Sequence, residues 1–305
     1  MAHELQHRPP LSQIRQWLYE RFLELIIYPS IWVAAAIASL AFFAQEMMGL
    51  ATDWKPAALI FATALIPYNL DRIFDTYVQK KPEERTQSYF RNNFGIIALL
   101  LAATIATAVL LYFAPSGVRY VSCAIVIPLI YGAPLFPLPQ AKGMRWYRLK
   151  DIPGSKAWIV CSTLTYAVIA LTLAYAGAEF DSTAALTTLF MFVFIGSNSH
   201  TFDIPDVESD REKGVLTLPL MVGVRGAKII LTLLNGVMLL AMVWGWTTGV
   251  IAFHPEVLLA TSITLLYIWS LDRKTPRKTY DIAIDGILFV PALSHGVIEA
   301  IANLI

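Results

Sequence analysis

Charged residues are scarce in this chain: they make up 15% of its 305 residues, whereas hydrophobic residues make up 57%. A soluble protein normally carries about 25% charged residues. The excess of apolar side chains must face lipid, which excludes a soluble enzyme and predicts a polytopic protein of the lipid bilayer. The net charge of +1 gives no reason to expect nucleic acid as a partner.

Cysteine is almost absent as well. Cys123 and Cys161 both fall inside apolar runs, where we interpret each as a small packing residue. Two such cysteines exclude a disulfide framework and a CxxC redox site. The residue spacing also excludes a P-loop, a haem-ligating pair, a zinc-ligand set and a nucleophilic triad. The chemistry must then come from the few charged side chains near the ends of the apolar runs.

Nine apolar runs come close to the roughly 20 residues that a helix needs to cross a bilayer. We therefore predict an all-α membrane protein with nine transmembrane helices, in which residues 25–305 form one domain. The runs span residues 25–43, 57–70, 94–113, 118–136, 157–176, 184–199, 229–248, 257–271 and 282–305.

Residues 1–24 form a separate N-terminal segment that is too polar for a cleavable signal sequence. Within it four apolar residues recur at helical spacing, with Arg15 and Arg21 between them: Leu11, Ile14, Leu18 and Phe22. This pattern suits a short helix that lies in the membrane interface. An extension of the first membrane helix is an equally good interpretation.

Lysine and arginine are distributed asymmetrically between the predicted connections. With nine crossings, 21 of the 23 basic residues lie on the side of the N-terminus, and only Lys55 and Arg119 lie on the other side. Basic residues are retained in the cytoplasm. We therefore expect the N-terminus to be cytoplasmic, together with the connections that follow the even-numbered helices.

Three aspartates follow the sixth run: Asp203, Asp206 and Asp210. On a helix they would lie within about 60° of one another, at ~100° per residue. Carboxylates this close repel unless a cation lies among them. Oxygen sites that are shared with substrate phosphates are typical of Mg²⁺. The motif therefore predicts a Mg²⁺ site at the cytoplasmic end of the bundle.

A second acidic pair follows the second run. Asp71 and Asp75 lie about 40° apart on a helix and can hold a cation jointly. The alternative is a solvated helix end with a local ion pair between Asp71 and Arg72. Asn69 points away from Asp71 on a regular helix, unless Pro67 distorts the backbone and turns it inward. Because both motifs fall on one side, we expect them to face each other across a diphosphate.

Basic residues on the same side are candidates for binding that diphosphate. Lysine or arginine neutralises charge on a departing diphosphate, and Lys150 is the favoured candidate. Retention in the cytoplasm is the alternative explanation for each of these residues. The other basic candidates are Arg72, Arg85, Arg148, Lys156 and Lys213.

Several aromatic and polar residues are candidates for the apolar part of the site. Tyr68, Tyr131 and Phe202 either line a cavity, where their ring faces stabilise a carbocation, or face lipid. His200 lies one helical turn before Asp203 and either takes a proton or only hydrogen-bonds inside the bundle. Two intramembrane residues of the ninth run are marked as possible cavity residues: Asp285 and His295.

These two motifs resemble those of the UbiA superfamily of intramembrane prenyltransferases. The second, Asp203-Ile-Pro-Asp206-Val-Glu-Ser-Asp210-Arg-Glu-Lys213-Gly, is very similar to the family's second motif in its chlorophyll and quinone branches. Asp71-Arg-Ile-Phe-Asp75 resembles the end of the first motif, although Pro67 stands where the family has asparagine. The resemblance implies nine helices around a central cavity with a cytoplasmic cap, and it implies that the five aspartates bind an isoprenyl diphosphate through Mg²⁺.

We therefore expect a Mg²⁺-dependent prenyltransferase. It would move an isoprenyl group from its diphosphate to a hydrophobic acceptor from the membrane, which in this family is most often an aromatic ring. The five aspartates and Lys150 are the expected catalytic residues. Two alternatives remain: a membrane terpene cyclase, in which the cation attacks its own chain, and a cation-coupled transporter.

Overall fold

The structure is a computed structural model, and it describes residues 11–78, 89–90, 94–125, 136–140, 143–147, 152 and 154–302. Helices dominate these residues because only internal hydrogen bonds can satisfy the backbone of an apolar run in lipid. In chain order the helices are α1 Leu11–Phe22, α2 Ile31–Met47, α3 Trp54–Val78, α4 Phe94–Phe113, α5 Ser116–Ser122, α6 Ser155–Ala176, α7 Ser182–Phe202, α8 Val207–Lys213, α9 Leu218–Thr248, α10 Pro255–Ser270, α11 Arg277–Thr279, α12 Asp285–Ile287 and α13 Val290–Ala302.

Four of the described helices, α4, α6, α7 and α9, are long and apolar enough to cross a membrane. The number rises to six if each of two bent helix pairs is one span, and α10 is a shorter apolar helix. The prediction of a helical membrane protein is thereby supported. Nine crossings stay a prediction, because most of the run at 118–136 lies outside the described residues. The predicted cytoplasmic cap also stays a prediction.

The first span is sharply bent rather than straight. Helix α1 continues into a π-helical turn, Leu23–Ile27, and the two segments on either side of residues 28–30 differ in direction by 61°. Pro29 lacks the N–H that a continuing helix needs. Ser30 has a φ of 59°, the one positive value at a described non-glycine residue. The N-terminal segment is therefore not a straight extension of α2, and its place in the interface stays a prediction.

A β-hairpin between α5 and α6 departs from the all-α prediction. Strand β1, Phe136–Gln140, pairs antiparallel with β2, Gly143–Tyr147, so that Phe136 is opposite Tyr147. Pro137 and Pro139, two residues apart, disfavour a helix, but they are tolerated in an edge strand. The hydropathy pattern did not predict the hairpin, because Lys142 and Arg145 place residues 137–147 in a connection between helices rather than in an apolar run.

The core lies where α2, α6 and α7 pack together. Helix α2 carries a run of alanines that are almost fully buried, and such small side chains let helices approach closely. Phe43 packs edge-on against Phe190, with ring centroids 5.9 Å apart, and Phe190 stacks on Phe194 at 5.4 Å. This core fixes α7, the helix that leads to the acidic motif.

We expect Gly245→Ala to destabilise the bundle, because a Cβ at Gly245 would lie 2.5 Å from Leu186 Cδ1 and 3.0 Å from Ile251 Cγ2. Overpacking of this kind costs about 1–3 kcal/mol. The matched control is Gly236→Ala in the same helix, where a Cβ meets no atom within 4 Å. Alanine favours a helix by about 1 kcal/mol over glycine, so the control should be neutral or stabilising. Thermal unfolding in detergent measures both variants, and equal effects would contradict the packing argument.

Candidate active site

The second acidic motif lies where the chain leaves α7. That helix ends at Phe202, residues 203–206 form turns, and α8 begins at Val207. The spacing of the three aspartates predicted that one helix carries all of them, but the structure interrupts the helix between Asp203 and Asp206. The physical reason is Pro205, which cannot donate an N–H and would clash with the carbonyl four residues earlier. The turn nevertheless brings the three carboxylates to one place.

The three aspartates converge on the ammonium group of Lys156, in the first turn of α6. Its Nζ lies 3.1 Å from Asp203 Oδ1, 3.0 Å from Asp210 Oδ2 and 3.9 Å from Asp206 Oδ2. It also donates a hydrogen bond to Asp210 Oδ1 at 3.3 Å. Three carboxylates and one ammonium leave a formal charge of two negative units at this point.

The carboxylates of this cluster are unusually buried for charged groups. Asp203 is 2% exposed and Asp210 is 4% exposed, whereas Asp206 is half-buried. Burial raises the pKa of Asp203 to about 6, although the Lys156 ammonium acts in the opposite direction. Asp203 Oδ2 has no hydrogen-bond partner among the described residues. The site therefore has one buried carboxylate oxygen that is not used in a hydrogen bond with the described residues.

The backbone around Gly154 sets the position of Lys156. Gly154 has a φ of 73°, a value that glycine adopts without strain, and its N–H donates to the carbonyl of Leu216. The N–H of Val215 in turn donates to the carbonyl of Asp210 at 2.9 Å. The start of α6 is thus tied to the segment directly after α8, which places lysine and aspartates opposite each other.

His200 lies between the acidic cluster and a set of aromatic rings. Its Nδ1 is 4.0 Å from Asp203 Oδ2, and its ring contacts Trp158 edge-on at 4.4 Å. Trp158 stacks on Phe192 at 5.6 Å, and Phe192 lines an open apolar groove of about 680 Å³. Neither ring nitrogen of His200 has a hydrogen-bond partner in the described residues. Packed rings therefore connect the groove to His200, which lies beside Asp203.

In the first motif, Asn69 faces the bend before α2. It is fully buried, and its Nδ2 donates to the carbonyls of Pro29 at 2.9 Å and of Leu65 at 2.8 Å. Asp71, two residues later, has an exposed side chain. The amide of Asn69 is therefore used to hold α3 to the bend, and only its Oδ1 lacks a partner among the described residues.

Arg72 makes a similar contact. Its Nη1 donates to the carbonyls of Ile27 and Tyr28 at 3.2 and 3.3 Å. The sequence marked Asp285 as a possible cavity residue, and in the structure its carboxylate and that of Asp71 both act electrostatically on the Tyr68 hydroxyl, one turn before Arg72.

Several predicted site residues cannot be placed. Lys150, Arg148, Arg85 and Tyr131 lie outside the described residues. Asp75 and Lys213 lie within helices α3 and α8, but their side chains are not described. Phe202 is half-buried and packs against Tyr280, with ring centroids 5.7 Å apart. The assignments of all these residues stay predictions.

The structure describes no ready-made metal site. Across the described ranges, no three His, Cys, Asp or Glu side chains are already gathered as metal ligands. At the second motif the ammonium of Lys156 lies where a cation would otherwise be needed.

Solved structures show the same architecture. The apo structure of a UbiA homolog from Aeropyrum pernix K1 has a TM-score of 0.59 and 13% identity, over 89% of this chain and 98% of that chain. A UbiA homolog from Archaeoglobus fulgidus bound to DMAPP and Mg²⁺ has a TM-score of 0.58 and 12% identity, over 90% of this chain and 98% of that chain. A digeranylgeranylglyceryl phosphate synthase has a TM-score of 0.55 and 13% identity, over 90% of this chain and 96% of that chain. At these identities the likeness defines the class of fold, an intramembrane helical bundle.

The family follows from the sequence itself. The model of the UbiA prenyltransferase family matches residues 93–289, about two thirds of the chain. The chain belongs to this family and is an integral membrane enzyme that transfers prenyl groups. The family resemblance is thereby confirmed. No protein of curated function matches the sequence.

We expect Lys156→Met to destabilise the protein, because it leaves the buried Asp203 and Asp210 without their counter-charge. The loss should be about 2–3 kcal/mol, less than for a fully buried pair, since 27% of the lysine side chain is exposed. Adding Asp203→Asn should recover part of it. Chemical unfolding in detergent measures both variants.

The matched control is Lys55→Met, which removes an exposed ion pair with Asp53 and should cost below about 1 kcal/mol. If Lys156→Met cost no more than this control, the ammonium would not be the group that stabilises the acidic cluster.

Proposed function

We propose that this protein catalyses Mg²⁺-dependent transfer of an isoprenyl group from its diphosphate to a hydrophobic acceptor from the membrane, an aromatic ring being the proposed acceptor class. The observation that carries the proposal is the convergence of Asp203, Asp206 and Asp210 at one end of an apolar bundle. Family membership and the DMAPP and Mg²⁺ bound to the Archaeoglobus homolog support it.

The second motif fits Mg²⁺ by its donor chemistry. Carboxylate oxygens are the hard ligands that Mg²⁺ prefers, and Asp203 Oδ2 is an unpartnered oxygen among them. The two net negative charges would repel a diphosphate unless divalent cations joined the two. Mg²⁺, when bound, supplies positive charge that stabilises the leaving diphosphate. The proposed ligands are Asp71, Asp75, Asp203, Asp206 and Asp210.

Lys156 is the described cation best placed to meet the diphosphate. Its Nζ already lies among the aspartates, so it can exchange a carboxylate partner for a phosphate oxygen without crossing the site. Lys150 keeps its proposed catalytic role as a further cation at this end. The other proposed substrate-binding residues are Asn69, Arg72, Arg85, Arg148, Lys213, Tyr68, Tyr131 and His200.

The apolar surroundings protect the reaction from water. In the proposed reaction the C–O bond to the diphosphate breaks, and its electron pair leaves with the diphosphate. Electrons of the acceptor ring then form the new bond to the allylic carbon, and the ring loses a proton. The packed rings of Phe192, Trp158 and His200 connect the apolar groove to Asp203, and we propose that the allylic cation forms beside these rings, where few water molecules can quench it.

The orientation in the membrane follows from charge. We propose that the end carrying Asp203 and Lys156 faces the cytoplasm, because 21 of the 23 basic residues belong to that side in the nine-helix arrangement. The N-terminus would share this side. The helical unit at 25–305 is proposed to be one domain, with 1–24 as an interfacial segment.

We expect Asp206→Asn and Asp71→Asn to lower Mg²⁺-dependent prenyl transfer by about a hundredfold or more, because each removes charge that holds the diphosphate. The control is Glu208→Gln, in the same motif, whose carboxylate is 64% exposed and pairs with Arg211 and Arg273 on the surface. The control should keep near-normal turnover. Unchanged turnover in either aspartate variant would remove that residue from the site.

A second experiment identifies the product of the reaction and so the group that captures the allylic cation. Membranes that contain the protein are incubated with an isoprenyl diphosphate and Mg²⁺, with or without an aromatic acceptor, and the lipids are analysed by mass spectrometry. We expect a prenylated ring only when the acceptor is present.

Other products would decide between the alternatives. A cyclised hydrocarbon formed without acceptor would replace the proposal by a terpene cyclase. A prenylated glyceryl phosphate would keep the transferase and overturn the aromatic acceptor. An untouched diphosphate would favour a transporter, although transporters tend to place charge near the membrane midplane.

A further inference from the structure

A π-helical turn, Tyr280–Ile284, forms the start of the last bent span. Single π-helical turns are rare, and they often occur at functional sites. Both ends of this turn, Tyr280 and Ile284, are almost fully buried. The turn belongs to neither acidic motif, but side-chain donors from two other helices end on its carbonyls.

The two donors are an asparagine and a tryptophan. Asn198 of α7 donates from Nδ2 to the carbonyl of Ile284 at 2.8 Å, and Trp32 of α2 donates from Nε1 to the carbonyl of Ile282 at 2.9 Å. A carbonyl has two lone pairs, so it can accept such a donor besides a helical N–H. Asn198 is 6% exposed, and a buried amide without its partner is costly. These hydrogen bonds therefore tie the turn to both helices.

The contact with α7 lies next to the second acidic motif. Asn198 precedes Asp203 by five residues, about 7.5 Å along the helix axis. Phe202, four residues after Asn198 and on the same face of α7, packs against Tyr280 with ring centroids 5.7 Å apart. The last turns of α7 therefore hold the π-helical turn at its first residue, Tyr280, and at its last, Ile284.

The contact with α2 leads to the first acidic motif. Trp32 lies directly after the bend that contains residues 27–29, and the carbonyls of those residues accept hydrogen bonds from Asn69 and Arg72. Asn69 and Arg72 lie on either side of Asp71 in the sequence. A continuous series of direct contacts thus joins the two acidic motifs through the bend, Trp32, the π-helical turn and α7.

The same turn fixes the position of a further carboxylate. Asp285 directly follows the turn and is 7% exposed. Its carboxylate acts electrostatically on the hydroxyl of Tyr68, three residues before Asp71. A displacement of the turn would therefore also move a buried negative charge relative to the first motif.

We infer that Asn198 and Trp32 are positioning residues for prenyl transfer: through the π-helical turn, they hold the two acidic motifs at one fixed separation. The inference rests on the proposed function, in which both motifs bind the same diphosphate. Because two motifs from distant parts of the chain share one ligand, an error of about 1 Å in their separation would weaken binding and slow the reaction. Neither residue is among the proposed ligands or substrate contacts.

Binding of geranyl and geranylgeranyl thiolodiphosphate in the presence of Mg²⁺ tests the inference, because these analogues react far more slowly than the diphosphates. The measurement uses the whole chain in detergent. Asn198→Leu keeps the branching of the side chain but removes the donor, and we expect it to raise the Kd of the analogues about tenfold. Trp32→Phe removes the N–H, keeps an aromatic ring and should act similarly. The double variant should bind little worse than either single variant, because each breaks the same link.

The matched control is Asn235→Leu. Asn235 is 1% exposed, and its Nδ2 donates at 2.8 Å to Ser197 Oγ, so it ties the neighbouring position of α7 to α9 instead of to the π-helical turn. Asn235→Leu and Asn198→Leu each remove one buried hydrogen bond to another helix, so both should lower the melting temperature by a similar amount. The control should nevertheless keep the Kd within about twofold of wild type.

An equal rise of the Kd in Asn198→Leu and Asn235→Leu would show that general loosening of α7 weakens binding, and it would overturn the inference. Unchanged binding in Trp32→Phe would overturn it as well. If Asn198→Leu does not fold, Trp32→Phe decides the result, since Trp32 is only half-buried.

The proposed function can fail separately. A wild type that binds the analogues with Mg²⁺ but transfers no prenyl group would contradict the proposed reaction, and the comparison of Kd values between variants would still decide the roles of Asn198 and Trp32. A wild type without Mg²⁺-dependent binding would overturn both.

Discussion

The second acidic motif depends on the contact between the ammonium group of Lys156 and the carboxylates of its three aspartates. Asp203 and Asp210 are nearly inaccessible, and a charge buried in an apolar bundle is tolerated only beside an opposite charge. The lysine can fill this role because the start of α6 is hydrogen-bonded to the segment after α8. The same contact keeps a strongly negative site intact and keeps a cation at the place where a diphosphate would arrive.

The helix breaks have local causes. Helix α7 stops at Phe202 because Pro205 cannot continue it, and the last span bends by 50° at residues 288–289. Just before this bend Gly286 lies close to Trp32, whose Nε1 donates to the carbonyl of Ile282 at 2.9 Å. At membrane depth, irregular backbone of this kind is tolerated where it is buried in protein or lines a cavity.

Much of this fold could be predicted because lipid imposes simple rules on sequence. The long apolar runs predicted α4, α6, α7 and α9, and the paired aspartate motifs predicted the family. Hydropathy did not predict the strands at 136–140 and 143–147, since they lie at and beyond the end of the apolar run, where the sequence predicted only a basic connection. Spacing alone predicted an unbroken helix through Asp206, and the local effect of Pro205 prevailed.

The sequence by itself determined the membrane class and the family, because these depend on composition and on residues a few positions apart, and it predicted a metal-binding role for the five aspartates. Only the tertiary structure brought Lys156 into contact with the aspartates, whereas Lys150, the cation favoured from the sequence, lies outside the described residues and stays a prediction. It also decided that Glu46, Glu256 and His295 lie together. These residues are far apart in the chain, and only the packing of α13 against both α2 and α10 brings them within reach of one another.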